Sequence, residues 1–272
     1  MGHVTRDVNA ADWTFGGTAL YASLTAQQLG WQVRTVTRMR AEHARDLQRQ
    51  HPQIHWSVAP SRRTTTFRND CHDHRRSQVV LERAPAIRAR DLAPATAHAR
   101  IVHLGPVARE IGPALTRCLP SAALVGLAAQ GLVRAIAPDG RVEWRAWRPR
   151  RVLLDRTDVL ILSDEDIAAD PDSGLRYLRE ARLGILTQGP RPIQIFERGE
   201  LREFAVRRVP ERNPTGTGDV FAAALLTELS TTGALGRAVE FAGAAAAFWI
   251  SQRGRPEFPT GAMLTQRIGA TS

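Results

Sequence analysis

The chain of 272 residues contains no lysine, and its 37 basic residues are all arginine. This absence excludes three classes of enzyme whose chemistry needs a lysine side chain. A Walker A loop places a lysine on nucleotide phosphates, a protein kinase places one on a strand beside them, and a pyridoxal-phosphate enzyme forms a Schiff base with one. Phosphate binding therefore has to depend on backbone amides, helix dipoles, arginine side chains or a metal ion.

The chain is also poor in cysteine and in long apolar runs. Cys71 and Cys118 match neither a disulfide framework nor a zinc-binding spacing, so we expect two free thiols in a reducing compartment. No apolar stretch reaches the roughly 18 residues that a membrane span needs. The first residues lack the apolar centre of a signal peptide. We therefore expect a cytoplasmic protein with no membrane partner.

The formal net charge is +10 at pH 7. Two explanations are open: a coding bias toward arginine, or a surface that binds polyanions such as nucleic acid. The basic residues are scattered along the chain rather than grouped in one stripe, which favours the coding bias. We expect no nucleic-acid partner. A nucleic-acid-binding regulator would instead bind DNA tightly and lose affinity steeply as the salt concentration rises.

Helical and strand patterns alternate along most of the chain, which is typical of an α/β fold with a largely parallel sheet covered by helices. The predicted helices cover residues 17–30, 41–50, 107–117 and 171–182. The predicted buried strands cover residues 33–37, 101–104, 123–126, 159–162 and 184–187. Pairs of extended segments are predicted at residues 64–83, 132–147 and 193–204, the last two as hairpins.

The segment from Asn213 to Leu229 joins a turn rich in proline and glycine to an apolar helix. Gly216 and Gly218 have no Cβ atom, so the chain can bend sharply and a ligand can approach the backbone. The amides of Gly216, Thr217 and Gly218 are predicted to point outward at the positive end of the helix dipole, which makes an anion site. Such a site stabilises the charge that gathers on a phosphoryl group in transit.

Asp219 follows this turn directly. An aspartate in water has a pKa of about 3.9, so it is ionised at neutral pH and can accept the proton of an attacking hydroxyl. The alternative is that Asp219 only caps the helix, because aspartate favours helix N-termini. A dinucleotide-binding motif fits less well, since Phe221 stands where that motif has its third glycine.

Residues 213–219 resemble the D-T/P-x-G-A-G-D signature of ribokinase-like, PfkB-type carbohydrate kinases, and the sequence FAAALL that follows is typical of the same family. Asn213 replaces the first aspartate of the signature, and Thr217 replaces its alanine. The resemblance implies that Asp219 is the catalytic base. It also implies that Gly216, Thr217 and Gly218 form the anion hole.

The resemblance extends to the fold and the activity. It implies a single domain over residues 1–272, built as a three-layer α/β sandwich with a mostly parallel central sheet, and a small β lid from about residues 8–15 and 54–82. It further implies an ATP-dependent kinase that phosphorylates a hydroxyl of a small sugar, or of a related polyol or nucleoside. The alternative is a weak or inactive relative that binds a sugar or nucleotide as a regulator. Lid strands in this family often pair between subunits, which suggests a homodimer.

On the acceptor side, Gly16 and Gly17 resemble the di-glycine motif of the family, and Asp7 matches an aspartate that hydrogen-bonds acceptor hydroxyls. Tyr21 stands where the family usually has an asparagine. An ordinary loop-to-helix turn and a solvated aspartate are the alternatives for these residues. The family usually has several strand residues where this sequence has only Met1, so we expect a shortened first strand, such as a misassigned start codon would give.

On the donor side, Thr187 and Gly189 resemble the nucleotide-binding T-x-G-x-x-G loop of the family, in which Pro192 replaces the second glycine. The alanine-rich helix with Gly243, and the loop that starts at Gly254, resemble the segments beside the adenine. For that helix the alternative is an ordinary core helix.

Ser163 and Asp166 stand where the family has an N-x-x-E motif that organises Mg²⁺ and phosphate through water. A carboxylate is retained at the last position, and oxygen ligands suit Mg²⁺. The resemblance therefore implies a magnesium site near Asp166. The alternative is an acidic helix start, which is favourable on electrostatic grounds alone.

Two histidine-containing patterns carry less weight. The cluster at residues 71–74 consists of neighbours in an extended segment, whose side chains point to opposite faces and converge poorly on one metal ion. We expect no metal there. His103 ends a predicted strand and faces either the acceptor pocket or the protein interior.

Overall fold

The computed structural model of the chain describes residues 1–9, 12–72, 75–92, 96–148, 151–254 and 256–269. Within these residues the strands are β1 (Thr5–Val8), β2 (Trp13–Gly16), β3 (Arg34–Met39), β4 (His55–Pro60), β5 (Thr66–His72), β6 (Arg75–Glu82), β7 (Ile101–Leu104), β8 (Leu124–Ala128), β9 (Arg134–Ile136), β10 (Val142–Trp144), β11 (Val159–Ser163), β12 (Leu183–Thr187), β13 (Ile193–Glu197) and β14 (Glu200–Phe204). The α-helices are α1 (Thr18–Gln28), α2 (Ala41–Gln50), α3 (Arg151–Leu154), α4 (Asp164–Ile167), α5 (Pro171–Glu180), α6 (Thr217–Thr232), α7 (Leu235–Ile250) and α8 (Gly261–Gly269).

The main sheet has six strands in the order β14-β13-β12-β11-β8-β7. Strands β7, β8, β11 and β12 run parallel, whereas β13 and β14 add an antiparallel hairpin at one edge. A separate parallel pair is formed by β3 and β4. The α/β fold predicted from the alternating pattern is confirmed, with a sheet that is mixed at one edge.

Both faces of the main sheet are buried, as is typical of parallel strands between helices. Along β11, Val159 and Ile161 pack into a hydrophobic cluster with α6 and α7, whereas Leu160 and Leu162 pack into a second cluster with Leu178 of α5. This alternation follows from the two-residue period of a strand. The predicted three-layer arrangement of helix, sheet and helix is thereby confirmed.

A second sheet of four strands, in the order β2-β1-β5-β6, is called the small sheet here. It corresponds to the predicted β lid, with one correction. The predicted range 54–82 includes β4, but β4 pairs with β3 in parallel register and not with the small sheet. The partner of a single strand is chosen by tertiary packing, so its own sequence does not reveal it. Residues 10, 11, 73 and 74, which the prediction also covered, lie outside the described residues.

The helix predicted at residues 107–117 is wrong, because only a 3-10 helix at Pro113–Cys118 forms there. The backbone of Arg109 has a φ of 61°, in the left-handed region, which interrupts a right-handed helix at that point. Next to it the side chain of Glu110 is 2% exposed, and its carboxylate accepts hydrogen bonds from the amides of Val107, Ala108 and His3. A buried carboxylate needs such donors.

The first two residues lie between the edges of β3 and β7. The terminal ammonium group of Met1 donates to the carbonyl of His103 at 2.7 Å, and the Met1 carbonyl accepts from the amide of Gly105 at 2.8 Å. The amide of Gly2 donates to the carbonyl of Val36 at 3.2 Å. A cavity of about 680 Å³ adjoins Met1 and is lined by both strands and by α1 and α6.

Candidate active site

The start of α6 is built around a glycine. Gly216 is the N-cap residue and has a φ of 82°, in the left-handed region that glycine enters without strain. Thr217 is the first helical residue, and Asp219 is the third. The N-cap provides no side-chain hydrogen bond to the helix. The start of this helix is therefore not capped, although Asp219 carries a negative charge in its first turn.

The backbone amides of this turn differ in how they are used. The amide of Thr217 donates to the carbonyl of Pro214 at 3.3 Å, so it is engaged within the turn. Within the described part of the chain, the amides of Gly216 and Gly218 have no hydrogen-bond partner. Of the three amides that were predicted to point outward, only those of Gly216 and Gly218 therefore remain available to a ligand. Gly218 is exposed and Asp219 is half-buried, so a ligand in solution can reach them.

The predicted acceptor residues are brought together next to the small sheet. Asp7 lies on β1, and its Oδ1 atom accepts a hydrogen bond from the hydroxyl of Thr5 at 2.8 Å. A Cβ atom at Gly16 would lie 2.3 Å from Oδ2 of Asp7, so the carboxylate lies directly against this glycine. Gly17 is the N-cap of α1 with a φ of 89°, and a Cβ there would lie 2.7 Å from the carbonyl oxygen of His3. These residues have to be small because the backbone and the carboxylate leave no space.

The first turn of α1 links the acceptor residues to the turn before α6. Tyr21 lies one helical turn after Gly17, about 5.4 Å along the axis. Its ring packs on Gly216, because a Cβ atom at Gly216 would lie 2.9 Å from both Cγ and Cδ1 of Tyr21. The two groups of predicted site residues, around Asp7 and around Gly216, therefore contact opposite ends of the same helical turn.

The predicted donor residues lie at the carboxyl ends of parallel strands, where ligands commonly bind in α/β sheets. Thr187 ends β12 and pairs in register with Ser163 at the end of β11. Gly189 follows with a φ of 57° and is exposed. Within this loop, the side-chain amide of Gln188 donates to the backbone carbonyl of Pro192 at 2.9 Å.

The two remaining donor-side glycines lie apart from that loop in sequence. Gly243 is half-buried within α7, and Gly254 adopts a φ of 72° in the segment that follows this helix. A Cβ atom at either position would meet no atom within 4 Å. Both positions thus have open space beside them, which a ligand can use.

Asp166, which was predicted to hold Mg²⁺ through water, lies at the start of α4. It is 7% exposed, its Oδ2 atom accepts from the amide of Ser163 at 2.8 Å, and its own amide donates to the Ser163 hydroxyl at 3.2 Å. Burial raises the pKa of Asp166, and the hydrogen bonds from Ser163 oppose this. The described residues contain no group of three or more acidic, histidine or cysteine side chains that could hold a metal ion. Asp166 thus closes the start of α4 through Oδ2, whereas its Oδ1 atom is buried without a hydrogen-bond partner among the described residues, and a role in binding Mg²⁺ through water stays a prediction.

His103 lines the cavity beside Met1 and not the predicted site. Burial, and to a smaller extent the charge of the nearby terminal amine, lowers the pKa of His103 to about 3. Its Nε2 atom is buried without a hydrogen-bond partner among the described residues. Of the cluster at residues 71–74, residues 73 and 74 lie outside the described residues. No helix among the described residues is both long and apolar enough to cross a membrane.

Two residues at the site were missed by the sequence reasoning. The indole of Trp249 donates to the carbonyl of Thr215, immediately before the anion-hole turn, at 2.8 Å. Phe258 packs on Trp249 with ring centroids 4.6 Å apart. No local pattern reveals these contacts, because they join residues that are distant in sequence.

A family model of pfkB family carbohydrate kinases matches residues 152–259. The matched part includes Thr187 on the donor side and the uncapped start of α6. No protein of curated function matches the chain.

Solved structures with similar folds cover nearly the whole chain. A pyrophosphate-dependent kinase of the ribokinase family, complexed with a pyrophosphate analog and myo-inositol, gives a TM-score of 0.78 at 21% identity over 94% of this chain and 96% of that chain. Ribokinase from Thermotoga maritima gives 0.76 at 16% identity over 98% and 96% of the two chains. Arabidopsis thaliana ribokinase complexed with ribose and ATP gives 0.75 at 17% identity over 97% and 96%. At these identities the likeness establishes a ribokinase-like fold.

Proposed function

We propose that this chain belongs to the pfkB family of carbohydrate kinases, whose family model matches residues 152–259, and that it transfers a phosphoryl group from ATP to a hydroxyl of a small sugar or polyol. The observation that carries the proposal is the uncapped start of α6. There, the amides of Gly216 and Gly218 lack a partner within the described residues, and the carboxylate of Asp219 follows in the same turn.

Asp219 is the catalytic base of the proposed reaction. It accepts the proton of the acceptor hydroxyl while the hydroxyl oxygen forms a bond to phosphorus and the bond from phosphorus to the leaving oxygen breaks. Base catalysis of this kind contributes about 10²–10⁴ in rate. The amides of Gly216 and Gly218, with the positive end of the α6 dipole, stabilise the negative charge on the oxygens of the phosphoryl group in transit.

Asp7 is the proposed acceptor-binding carboxylate. The hydroxyl of Thr5 and the close approach of Gly16 fix its position, so the carboxylate has a defined direction from which it can accept a hydrogen bond from an acceptor hydroxyl. Two structural neighbours were solved with ribose and with myo-inositol. Both molecules carry several hydroxyl groups, which supports an acceptor of the sugar or polyol class for this chain.

The proposed donor is ATP, bound along Thr187 and Gly189 with Gly243 and Gly254 beside the adenine. Pyrophosphate is the second candidate. It is favoured by the neighbour that uses pyrophosphate. The loop after β12 also departs from the nucleotide-binding loop of the family at Pro192, and pyrophosphate has no adenosine for such a loop to hold.

The test is a two-way panel of donors and acceptors. ATP and pyrophosphate are each combined with ribose, fructose, myo-inositol and a nucleoside, and the phosphorylated product is measured directly by mass spectrometry. Transfer with ATP supports the donor that we propose, and transfer with pyrophosphate alone supports the second candidate. Binding of donor and acceptor without any product would instead support an inactive relative that acts as a regulator.

Three further expectations belong to the same proposal. A divalent cation such as Mg²⁺ is expected to accompany the donor, and titration of Mg²⁺ in the transfer assay tests it. Asp166 is the residue that would hold this cation through water, since its Oδ1 atom has no hydrogen-bond partner among the described residues. We also expect a cytoplasmic enzyme, which localisation of the protein in cells tests. Pairing of two chains through the small sheet is expected as well, and light scattering tests it.

A further inference from the structure

Three aromatic side chains from separate segments meet beside the anion-hole turn. Tyr21 belongs to α1, Trp249 to the end of α7, and Phe258 to the segment before α8. The ring centroids are 5.7 Å apart for Tyr21 and Trp249, 6.4 Å for Tyr21 and Phe258, and 4.6 Å for Trp249 and Phe258. These three residues are called the aromatic cluster below. Spacings in this range are those of packed aromatic pairs.

The aromatic cluster contacts two consecutive residues of the turn that leads into α6. The indole of Trp249 donates to the carbonyl of Thr215 at 2.8 Å. The ring of Tyr21 packs on the Cα side of Gly216, where a Cβ atom would lie only 2.9 Å away. Trp249 is 2% exposed, so the hydrogen bond is shielded from water and its geometry is well defined.

The chain that enters the turn is tied to the same end of α7. The amides of Arg212 and Asn213 donate to the carbonyl of Ile250 at 2.8 and 3.0 Å. The turn is thus held on its entry side by Ile250, at Thr215 by Trp249, and at Gly216 by Tyr21. After Gly216, α6 begins, and the hydrogen bonds within this helix hold the backbone.

These contacts matter because the residue that they hold in place, Gly216, is a glycine. Gly216 has no side chain and can leave the left-handed region more easily than any other residue type. Donors that stabilise a transition state are effective only when they are already oriented, because reorientation during the reaction raises the barrier. A turn of Pro, Thr and Gly without outside contacts would not keep the Gly216 amide in one direction.

We infer that the aromatic cluster is a positioning unit that holds the anion hole in its working geometry, an inference that rests on the proposed phosphoryl transfer. Tyr21 and Trp249 act through Thr215 and Gly216 and are therefore positioning residues, not catalytic ones. The contact of Tyr21 with Gly216 has a second consequence. Because α1 starts at Gly17, beside Asp7, the same helical turn connects the acceptor carboxylate to the anion hole, so a shift of the acceptor side is transmitted to Gly216.

The test compares Trp249→Phe with Trp56→Phe. Both changes keep an aromatic ring and remove an indole hydrogen bond to a carbonyl, since Trp56 of β4 donates to the carbonyl of His51 at 3.0 Å. We expect Trp249→Phe to lower kcat about tenfold, as expected for the loss of one oriented hydrogen bond. The KM values should change by less than about threefold, and the shape of the pH profile should stay that of the parent. Trp56→Phe should retain the parent kcat.

Tyr21 is tested by Tyr21→Phe and Tyr21→Leu, with Tyr177→Leu in the opposite layer as the control. Tyr21→Phe keeps the ring on Gly216 and should retain kcat within about threefold, whereas Tyr21→Leu should lower it about tenfold. A merely structural role would lower stability in both leucine variants without this selective loss of kcat. Equal kcat values in Trp249→Phe and Trp56→Phe, or in Tyr21→Leu and Tyr177→Leu, would overturn the inference.

Binding of inorganic phosphate separates this inference from the proposed function. Isothermal titration of the parent, Trp249→Phe and Trp56→Phe needs no acceptor and no turnover. If no donor and acceptor pair reacts but Trp249→Phe alone loses phosphate affinity about tenfold, the proposed kinase function fails while the positioning role stands. If the parent binds no phosphate, or all three proteins bind it equally, the positioning role is wrong.

Discussion

Two helices of this protein, α4 and α6, each have an aspartate as their third residue, yet the N-cap residues and their hydrogen bonds differ. In α4, Asp166 is the third residue, and it exchanges hydrogen bonds with the N-cap residue Ser163 on both its amide and its carboxylate. In α6, Asp219 is also the third residue, but the N-cap is Gly216, which has no side chain with which to exchange them. The first helix start is closed and buried, and the second is open.

An acidic residue at a helix start therefore does not by itself identify a ligand-binding site. What distinguishes a site is whether the orphan amides of the first turn are already satisfied. A serine N-cap satisfies them within the chain, whereas a left-handed glycine leaves them for a ligand. Four predictions test this difference between the two helix starts.

The largest effect is expected for Asp219→Asn. The variant removes the proton acceptor and keeps the shape, so kcat should fall about 10²–10⁴-fold. Phosphate binding and the circular dichroism spectrum should stay close to the parent. Asp172→Asn, at the exposed start of α5, is the control and should retain activity. Turnover of Asp219→Asn near that of the parent would remove Asp219 from the mechanism.

Gly216→Ala should damage both stability and transfer. A left-handed conformation costs an alanine about 1–2 kcal/mol, and its Cβ would lie 2.9 Å from the ring of Tyr21. We expect the free energy of unfolding in urea to fall by about 2 kcal/mol, with a loss of kcat of at least about tenfold. Gly218→Ala is the stability control, because a Cβ there meets no atom within 4 Å. Equal stability of the two variants would contradict the strain at Gly216.

Asp166→Ala should lower stability. Loss of the reciprocal cap at α4 should lower the free energy of unfolding by about 1–2 kcal/mol, whereas Asp166→Asn retains an acceptor for the Ser163 amide and should remain closer to the parent. The dependence of the transfer rate on Mg²⁺ concentration should shift in Asp166→Ala if Asp166 also holds the metal through water, as proposed. An unchanged Mg²⁺ dependence would limit Asp166 to closing the helix start.

The smallest effect is a pH dependence at the closed helix start. Because the folded pKa of Asp166 is raised by burial, the folded state binds a proton more readily than the unfolded state just above about pH 4. The contribution of Asp166 to stability is therefore greatest at low pH and decreases as the pH rises through the folded pKa. The difference in unfolding free energy between Asp166→Asn and the parent should shift in favour of the variant over this range. A difference that is constant with pH would show that burial does not perturb this carboxyl.

Much of the local structure could be predicted from the sequence. The helix at residues 41–50 and the strand at residues 101–104 were predicted with the bounds that the structure has. The glycine turn, the helix after it and Asp219 at its start were predicted from seven residues. The closed start of α4 could also have been found, since Ser163 and Asp166 form the S-x-x-D pattern of a capping box.

Other features could not be predicted because they join distant segments. Where a helix was expected at residues 107–117, the buried carboxylate of Glu110 accepts from the amide of His3, more than a hundred residues earlier in the chain. β4 pairs with β3 and not with the small sheet. The three rings of the aromatic cluster come from residues 21, 249 and 258, and no window of sequence contains them together.

Local sequence was enough to define most of the helices and strands, and the glycine turn with its carboxylate, because backbone propensity and capping act over three or four neighbouring residues. Only the tertiary structure decided which amides of that turn stay unpaired, which rings pack against it and which acidic helix start is buried. Those outcomes depend on burial, and burial is a property of segments that meet only when the chain has folded.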